Sequence, residues 1–335
     1  MRILVTGGAG FIGSHTVTLL LEEGYDVTVI DDFSNSDKNV LQKIKDIAKK
    51  DFNFYEGSVC NKKFLNEVFN KDKIDAVIHF AAYKAVGESV EKPLMYYDNN
   101  LTGVIKLLEV MEENNVNKFI FSSSATVYGV PKELPIKEDF EVSATNPYGY
   151  TKLMTEQIIK DLGRSNSNFS AIILRYFNPI GAHPSGLIGE KPNGIPNNIM
   201  PYIMKVATGE LEKVHVFGND YDTKDGTGVR DYIHVMDLAD GHIKALEYLE
   251  KNTGVDIFNL GTGTGYSVLE LIKAAQNATG TEIPYVIDAR RAGDIAACYA
   301  DATKAKEKLH WQAKKELKEM CEDAYNFISH NNQNL

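Results

Sequence analysis

The sequence lacks the features of a membrane-spanning, secreted or nucleic-acid-binding protein. No apolar run approaches the ~20 residues that a helix needs to cross a bilayer, and the N-terminus carries no apolar stretch followed by a small-residue cleavage site. Positive charge is also scarce, because 36 Lys and Arg residues against 46 Asp and Glu residues give a formal net charge of −10. We therefore expect no nucleic-acid or membrane partner, and any anionic ligand must meet local positive groups.

Cysteine is scarce as well. Cys60, Cys298 and Cys321 are an odd number, at spacings that suit neither a zinc site nor a disulfide framework. His79 and His234 have no metal-ligand partner at a suitable spacing, so we expect no metal. A reducing cytoplasm is the expected location.

Short apolar runs alternate with helix-like segments through the first half of the chain. RILVTG, DVTVIDD, DAVIHFAA, KFIFSSSATVYG and AIILRYFNPIG are separated by stretches such as TGVIKLLEVMEENN. This pattern predicts an α/β fold with a doubly wound parallel, Rossmann-type sheet covered on both faces. From residue 177 the chain is rich in Gly, Pro and Asn, which predicts a smaller mixed α/β lobe that binds substrate. We expect a dinucleotide-binding domain over residues 1–176, with a segment near 232–260 returning to it, and the substrate lobe over 177–335.

A glycine-rich loop follows the first predicted strand. GGAGFIG fits the dinucleotide motif either through Gly8, Gly10 and Gly13 or through Gly7, Gly10 and Gly13. A side chain would block the approach of a pyrophosphate, and the following helix N-terminus offers N–H donors and partial positive charge. The loop lies between a predicted strand and a predicted helix, so the motif predicts a dinucleotide site.

An acidic residue follows the second predicted strand. Asp31 comes 18 residues after Gly13, where a ribose-binding acid is expected, although Asp32 is an alternative. No nearby arginine could accept a 2′-phosphate, so the sequence favours NAD over NADP. Lys84 and Asn99, at or beyond the end of DAVIHFAA, are further candidates for the cofactor's ribose or phosphates.

The stretch NPYGYTK raises the question of which tyrosine belongs with Lys152. Asn146 followed by Pro147 predicts a helix start, with Asn as the N-cap and Pro at the first helical position. At about 100° per residue, Lys152 is about 40° around the helix from Tyr148, whereas Tyr150 is about 200° from Tyr148. Only Tyr148 shares a face with Lys152 at a four-residue step.

The shared face suggests acid–base chemistry. A phenol has a pKa near ~10, so a base at neutral pH needs about three units of depression, which a lysine ammonium and an oxidised nicotinamide ring could supply together. Ser124 ends the predicted strand KFIFSSS and could hydrogen-bond to the reacting oxygen. We take Tyr148, Lys152 and Ser124 as the candidate catalytic residues.

These motifs resemble the extended branch of the short-chain dehydrogenase/reductase superfamily, which carries Y-x-x-x-K. Longer blocks, including HFAAYKAVGESVEKPLMYYDNN, LRYFNPIGAHPSG, FGNDYDTKDGTGVRDYIHVMDLADG and RRAGD, are similar to the UDP-hexose 4-epimerases within it and reach to about residue 303. The resemblance implies tightly retained NAD, a homodimer and inversion of C4 in UDP-galactose and UDP-glucose through a transient 4-keto sugar. By it, Tyr148 takes the proton of the 4-hydroxyl. Galactose metabolism and the supply of sugars for glycans are the implied roles.

The resemblance also implies two sets of binding residues. The cofactor set adds to those above Phe11, Ile12, Asn35, Ser36, Ser58, Val59, Phe80, Ala81, Ser122 and Phe177. The substrate set, beside Ser124 and Tyr148, is Asn178, Asn198, Phe217, Arg230, Arg291, Asp294 and Cys298. Two arginines suit a pyrophosphate in an acidic protein. From the residues alone, Arg230 could instead pair with Asp231, and Arg291 could be a solvated surface residue beside Arg290.

Two positions depart from the family pattern. Ser58 stands where many members carry an Asp that contacts adenine, which predicts weaker adenine recognition. Cys298 stands where some members carry a bulky tyrosine beside the sugar, and a small residue there predicts activity on UDP-GlcNAc and UDP-GalNAc as well. A buried cysteine can also serve as a small hydrophobe.

Two other functions would need different residues from those of an epimerase. A nucleotide-sugar 4,6-dehydratase needs an acid pair after its Thr, but Ala125 and Thr126 follow Ser124 here and neither exchanges a proton as a carboxylic acid does. A cofactor-sensing regulator would not need Tyr148, Lys152 and Ser124 together.

Overall fold

The computed structural model of the chain describes residues 1–192, 194, 196–291 and 293–332. The described strands are β1 (Arg2–Thr6), β2 (Asp26–Asp31), β3 (Asn53–Glu56), β4 (Ala76–His79), β5 (Lys118–Ser124), β6 (Ser170–Tyr176), β7 (Asn178–Ile180), β8 (Val214–Phe217), β9 (Val229–His234), β10 (Val255–Leu260), β11 (Gly265–Ser267), β12 (Tyr285–Asp288) and β13 (Ala297–Cys298). The described α-helices are α1 (Phe11–Glu22), α2 (Val40–Ala48), α3 (Lys62–Lys71), α4 (Val86–Glu91), α5 (Pro93–Tyr97), α6 (Gly103–Glu113), α7 (Pro147–Ser165), α8 (Ile199–Ala207), α9 (Val235–Lys251), α10 (Val268–Thr279) and α11 (Leu317–Asn332).

Seven parallel strands form the main sheet, in the order β10-β6-β5-β4-β1-β2-β3. The predicted doubly wound α/β fold is confirmed. The chain order reverses between β1 and β4, and a ligand crevice is expected at such a switch point, beyond the carboxyl ends of the strands. The loops after β1, β4 and β5 all open into it.

Both faces of the sheet are buried, which explains the continuous apolar strands. On one face Ile3 and Val5 pack in a cluster with residues of α1 and α9. On the other face Leu4 and Phe119 pack in a cluster with residues of α3, α6 and α7. Successive strand residues point to opposite faces, so β1 contributes to both clusters.

The second lobe has its own core. Helices α8, α10 and α11 pack with β8 and β9 in a third cluster that includes Met204, Leu271 and Met320. Strand β9 pairs with β7, β11 and β13, and β8 pairs with β12. Within the segment 232–260, α9 packs on α1 and β10 pairs with β6 in the main sheet, whereas Tyr232–His234 belong to β9.

The C-terminal part covers the sheet and the second lobe. Trp311 is buried in the cluster with α1 and α9, and its indole N–H donates to the Asp237 carbonyl at 3.0 Å. None of the described helices is long and apolar enough to cross a membrane.

Candidate active site

The glycine loop needs its glycines because backbone approaches backbone there. Gly7 has φ +69°, and a Cβ on it would lie 2.7 Å from the Ala81 nitrogen. A Cβ on Gly13 would lie 2.2 Å from the Gly7 carbonyl oxygen. Gly8 instead faces a side chain, because a Cβ on Gly8 would lie 2.7 Å from a methyl carbon of Val29. Of the two fits to the motif, the one through Gly7, Gly10 and Gly13 therefore has the tighter backbone requirements.

Asp31, the last residue of β2, hydrogen-bonds to the glycine loop. Its carboxylate accepts from the Ala9 amide at 2.9 Å, from the Phe33 amide at 3.0 Å and from the Ser36 hydroxyl at 2.7 Å. Asp32 is exposed and accepts from the Ser34 amide in a local turn. Asp31 is held against the glycine loop and Asp32 is not, so the geometry favours Asp31 as the ribose acid.

Helix α7 begins as the sequence predicts. Asn146 is the N-cap, its side chain accepts from the Gly149 amide at 2.9 Å, and Pro147 is the first helical residue. Tyr148 lines the cleft at the sheet edge, whereas Tyr150 is 40% exposed on the outer surface. The helical geometry thus separates the two tyrosines.

Lys152 is buried between the sheet and Tyr148. Its Nζ donates to the Ser122 carbonyl at 2.7 Å and lies 4.9 Å from the Phe121 ring centroid and 5.8 Å from that of Tyr148. Burial lowers the pKa of Lys152 to about 7. The amine is therefore poised between its charged and neutral forms near neutral pH.

Tyr148 has the opposite shift from the one a base requires. Burial raises the pKa of Tyr148 to about 12, although a hydrogen bond with Ser124 opposes the rise. Desolvation disfavours the charged phenolate of Tyr148, and it also disfavours the charged form of Lys152 beside it. The depression expected from the sequence is thus not produced by the protein alone.

The three serines at the end of β5 face different partners. Ser122 offers its carbonyl to Lys152, Ser123 donates its hydroxyl to Glu156 at 2.6 Å, and Ser124 accepts from the Thr126 amide at 3.2 Å. Strand β5 ends at Ser124, as predicted. Ser124, the last residue of β5, and Tyr148, in the first turn of α7, both line the cleft.

Most residues of the predicted cofactor set line one continuous cleft. Asn99 reaches it from a π-helical turn over Asp98–Thr102, a type of turn that is common at functional sites. Ser58 does not line this cleft, although its neighbours Gly57 and Val59 do, and its hydroxyl accepts from the Cys60 amide at 3.2 Å. The predicted residues on the wall are Gly7, Gly10, Phe11, Ile12, Gly13, Asp31, Asn35, Ser36, Val59, Phe80, Ala81, Lys84, Asn99, Ser122, Ser124, Tyr148, Lys152, Phe177 and Asn198.

The remaining substrate candidates gather beyond this cleft in the second lobe. The Arg291 guanidinium lies 4.6 Å from the centroid of Phe217 and pairs with Asp294 at 3.1 Å. Arg230 donates to the carbonyls of Val229 and Ile295.

The structure excludes one of the two non-ligand alternatives for the arginines. Asp231 accepts from Thr262, Gly263 and Ala300. It is therefore not the partner of Arg230. The Arg291 side chain is 56% exposed, as a solvated surface residue beside Arg290 would be, although Arg290 itself pairs with Asp220 at 2.6 Å.

Cys298 and Asn178 lie on the small sheet beside this group. Cys298 is buried, and it is the register partner of Arg230 where β13 pairs with β9. It shares a hydrophobic cluster with Phe177, which lines the cleft. Burial raises the pKa of its thiol to about 11. Asn178 pairs with Tyr232 where β7 meets β9.

Glu190 was missed by the sequence reasoning. Its carboxylate lies on the cleft wall and bonds to both Lys84 and Asn198. The only signal was its place in the Gly-, Pro- and Asn-rich segment that predicted the substrate lobe. No motif marks the residue itself.

The residues present fit a dinucleotide. The loop at Gly7 and Gly13 leaves no room for side chains, Asp31 offers a fixed carboxylate for a ribose diol, and Lys84 is a cation on the same wall. A parallel sheet of this order with a Tyr-x-x-x-Lys pair and a serine at its edge defines a short-chain dehydrogenase/reductase of the extended type.

The comparisons with known proteins agree with this class and narrow it. The family model described as GDP-mannose 4,6 dehydratase matches residues 4–324. The UDP-glucose 4-epimerase of Bacillus subtilis (strain 168) is 59% identical over 331 residues, which are 99% of this chain and 98% of that protein. A crystal structure of UDP-glucose 4-epimerase from Bifidobacterium longum in complex with NAD+ and UDP is 53% identical, covers 100% of both chains and gives a TM-score of 0.97.

A further solved structure is of an enzyme with a broader substrate range. The UDP-Glc/GlcNAc 4-epimerase from Campylobacter jejuni is 37% identical, with 98% of this chain and 99% of that chain covered and a TM-score of 0.86. Taken together, these matches show that the chain belongs to the UDP-glucose 4-epimerase family.

Proposed function

We propose that the protein is an NAD-dependent isomerase that inverts C4 of UDP-hexoses and interconverts UDP-galactose and UDP-glucose. The observation that carries the proposal is the convergence of Tyr148, Lys152 and Ser124 on the cleft that begins at the glycine loop. Full-length relatives at 51–59% identity are UDP-glucose 4-epimerases, which supports it.

Each of the three residues has a distinct role in this proposal. Tyr148 takes the proton from the 4-hydroxyl of the sugar and later returns it. Ser124, hydrogen-bonded to Tyr148, holds the same oxygen. Lys152 donates to the Ser122 carbonyl and lies beside the phenol of Tyr148. When Lys152 is protonated, its positive charge stabilises the phenolate.

The glycine loop, Asp31 and Lys84 hold NAD in this proposal. When bound, NAD supplies the hydride acceptor and donor for C4, and its positive charge in the oxidised form favours the phenolate of Tyr148. Ala125 and Thr126 lie in the 3₁₀ turn that follows Ser124. No carboxylic acid follows Ser124 in that turn, which disfavours dehydration.

The second lobe holds UDP. The diphosphate is bound by Arg230, Arg291, Asn178 and Asn198. Phe217 packs on the uracil, and Asp294 orients Arg291. Guanidinium groups suit a diphosphate because they bind two oxygens at once. In the described geometry Arg291 pairs with Asp294, so UDP meets an arginine that is already oriented.

Activity extends to UDP-GlcNAc and UDP-GalNAc in this proposal. Cys298 packs in a cluster with Phe177, which lines the cleft, and we expect a side chain smaller than tyrosine at this position to admit a 2-acetamido group. The likeness to the Campylobacter jejuni UDP-Glc/GlcNAc enzyme supports this extension.

A homodimer in the cytoplasm completes the proposal. Helices α4, α5 and α7 pack together and expose apolar side chains, among them Val90 at 62%, Leu94 at 81% and Met154 at 41%. Exposed apolar surface of this kind marks protein interfaces. The three free cysteines suit a reducing compartment.

One assay tests the function. Purified protein is incubated with UDP-galactose, and UDP-glucose is measured by chromatography, with bound NAD measured in the same preparation. Product formation is expected. Protein that holds NAD but forms no UDP-glucose would refute the epimerase and favour a cofactor sensor.

A further inference from the structure

The carboxylate of Glu190 joins the two lobes at the cleft. Its Oε1 accepts a hydrogen bond from Lys84 Nζ at 2.8 Å and one from Asn198 Nδ2 at 2.6 Å. Lys84 follows β4 of the main sheet, whereas Asn198 immediately precedes α8 of the second lobe. One oxygen atom therefore holds a donor from each lobe.

The second oxygen of Glu190 has no such support. The side chain is only 9% exposed, and Oε2 is buried without a hydrogen-bond partner in the protein. Glu190 also borders a small cavity lined by apolar residues such as Met200 and Phe327. A buried carboxylate oxygen without a donor is costly, so local packing does not explain why an acid occupies this position.

The charge of Glu190 is also of the wrong sign for the ligands of this cleft. The proposed function brings a dinucleotide and a UDP-sugar here, and each carries a diphosphate. Lys84 and Asn198 are the donors proposed for these groups, and Glu190 occupies both. Like-charge repulsion and the engaged donors both weaken the binding of diphosphates.

We infer that Glu190 is a positioning residue that limits the affinity of the cleft for diphosphates, because it competes with them for Lys84 and Asn198. The consequence for turnover is that the product nucleotide-sugar leaves more readily. This inference rests on the proposed function, since it requires anionic ligands in the cleft.

The test removes the charge and retains the shape. In Glu190→Gln the amide oxygen holds the two donors more weakly, because a neutral acceptor forms weaker hydrogen bonds than a carboxylate. The dissociation constant of UDP, titrated by calorimetry into NAD-loaded protein, is expected to fall about five-fold. The KM for UDP-galactose is expected to fall with it, whereas merely structural damage would raise KM.

Three further variants control the result. Glu190→Ser also removes the charge and is expected to tighten UDP binding, so a folding failure of one neutral variant leaves the other as the test. Glu190→Asp keeps the charge and is expected to remain close to the wild type. Glu212→Gln changes a carboxylate of the second lobe that is 89% exposed, and is expected to leave UDP affinity unchanged.

The outcomes separate the two claims. Neutral variants that bind UDP no more tightly than the active wild type would overturn the role of Glu190 alone, as would equal tightening in Glu190→Asp. A wild type that neither binds UDP nor converts UDP-galactose would overturn the proposed function instead.

Discussion

The replacement Tyr148→Phe tests the assignment of the base against a neighbour in the same helix. The substitution removes one hydroxyl and leaves the ring, which packs near Lys152. With a pKa of about 12 in the protein alone, only about one phenol in 10⁵ is ionised at pH 7. The tyrosine therefore contributes to turnover only where the bound cofactor and Lys152 stabilise its phenolate.

The size of the effect follows from this role. General acid–base catalysis contributes about 10²–10⁴ in rate, or about 3–5 kcal/mol of barrier. We expect kcat for UDP-galactose to fall by that factor in Tyr148→Phe. The lost hydroxyl accounts for at most about one hydrogen bond, or ~1 kcal/mol, so UDP-sugar affinity should change by less than about ten-fold.

The assay compares initial rates of UDP-glucose formation and calorimetric binding of UDP-galactose on NAD-loaded protein. Tyr150→Phe is the matched control, because Tyr150 is 40% exposed and lies away from the cleft, and its kcat should stay within about two-fold of the wild type. A loss of less than ten-fold in Tyr148→Phe, or an equal loss in both variants, would refute the reasoning.

Three other substitutions test the site elsewhere. Gly13→Ala should destabilise the protein by about 1–3 kcal/mol and reduce bound NAD, because the added Cβ would lie 2.2 Å from the Gly7 carbonyl oxygen. Gly87→Ala is the control, since a Cβ there would meet no atom within 4 Å, and it should change neither property. Thermal unfolding and the NAD content of the purified protein measure both effects. Ser58→Asp, between the cleft residues Gly57 and Val59, should slow NAD release, since the longer side chain adds an anionic acceptor for adenine; an unchanged off-rate would contradict weaker adenine recognition. Cys298→Tyr should lower the ratio of UDP-GlcNAc to UDP-glucose activity, and an unchanged ratio would exclude Cys298 as the determinant.

The local signals of the sequence predicted much of the site. The glycine loop and Asp31 follow from the succession of a strand, a turn, a helix and the next strand. The start of α7 depends on contacts between residues that are close in sequence. Asn146 capping Gly149 is such a case. The continuous apolar strands likewise predicted the parallel sheet, because burial of both faces leaves no polar alternation.

Other features arise from contacts between distant segments. Glu190 meets Lys84 across 106 positions of sequence, and no local pattern announces that pairing. The rise in the pKa of Tyr148 depends on how deeply the packed lobes bury the phenol, which helical spacing does not reveal. Likewise, the stacking of Arg291 on Phe217 brings the segment before β13 onto the end of β8.

The most direct test of the account follows the hydrogen at C4. UDP-galactose carrying deuterium at C4 is converted by the purified protein in ordinary water, and the UDP-glucose formed is analysed by mass spectrometry and NMR. Removal and return of hydride within one closed site predicts that the deuterium stays at C4 of the product. Loss of the deuterium to solvent would contradict hydride transfer and with it the assigned roles of the cofactor cleft and Tyr148.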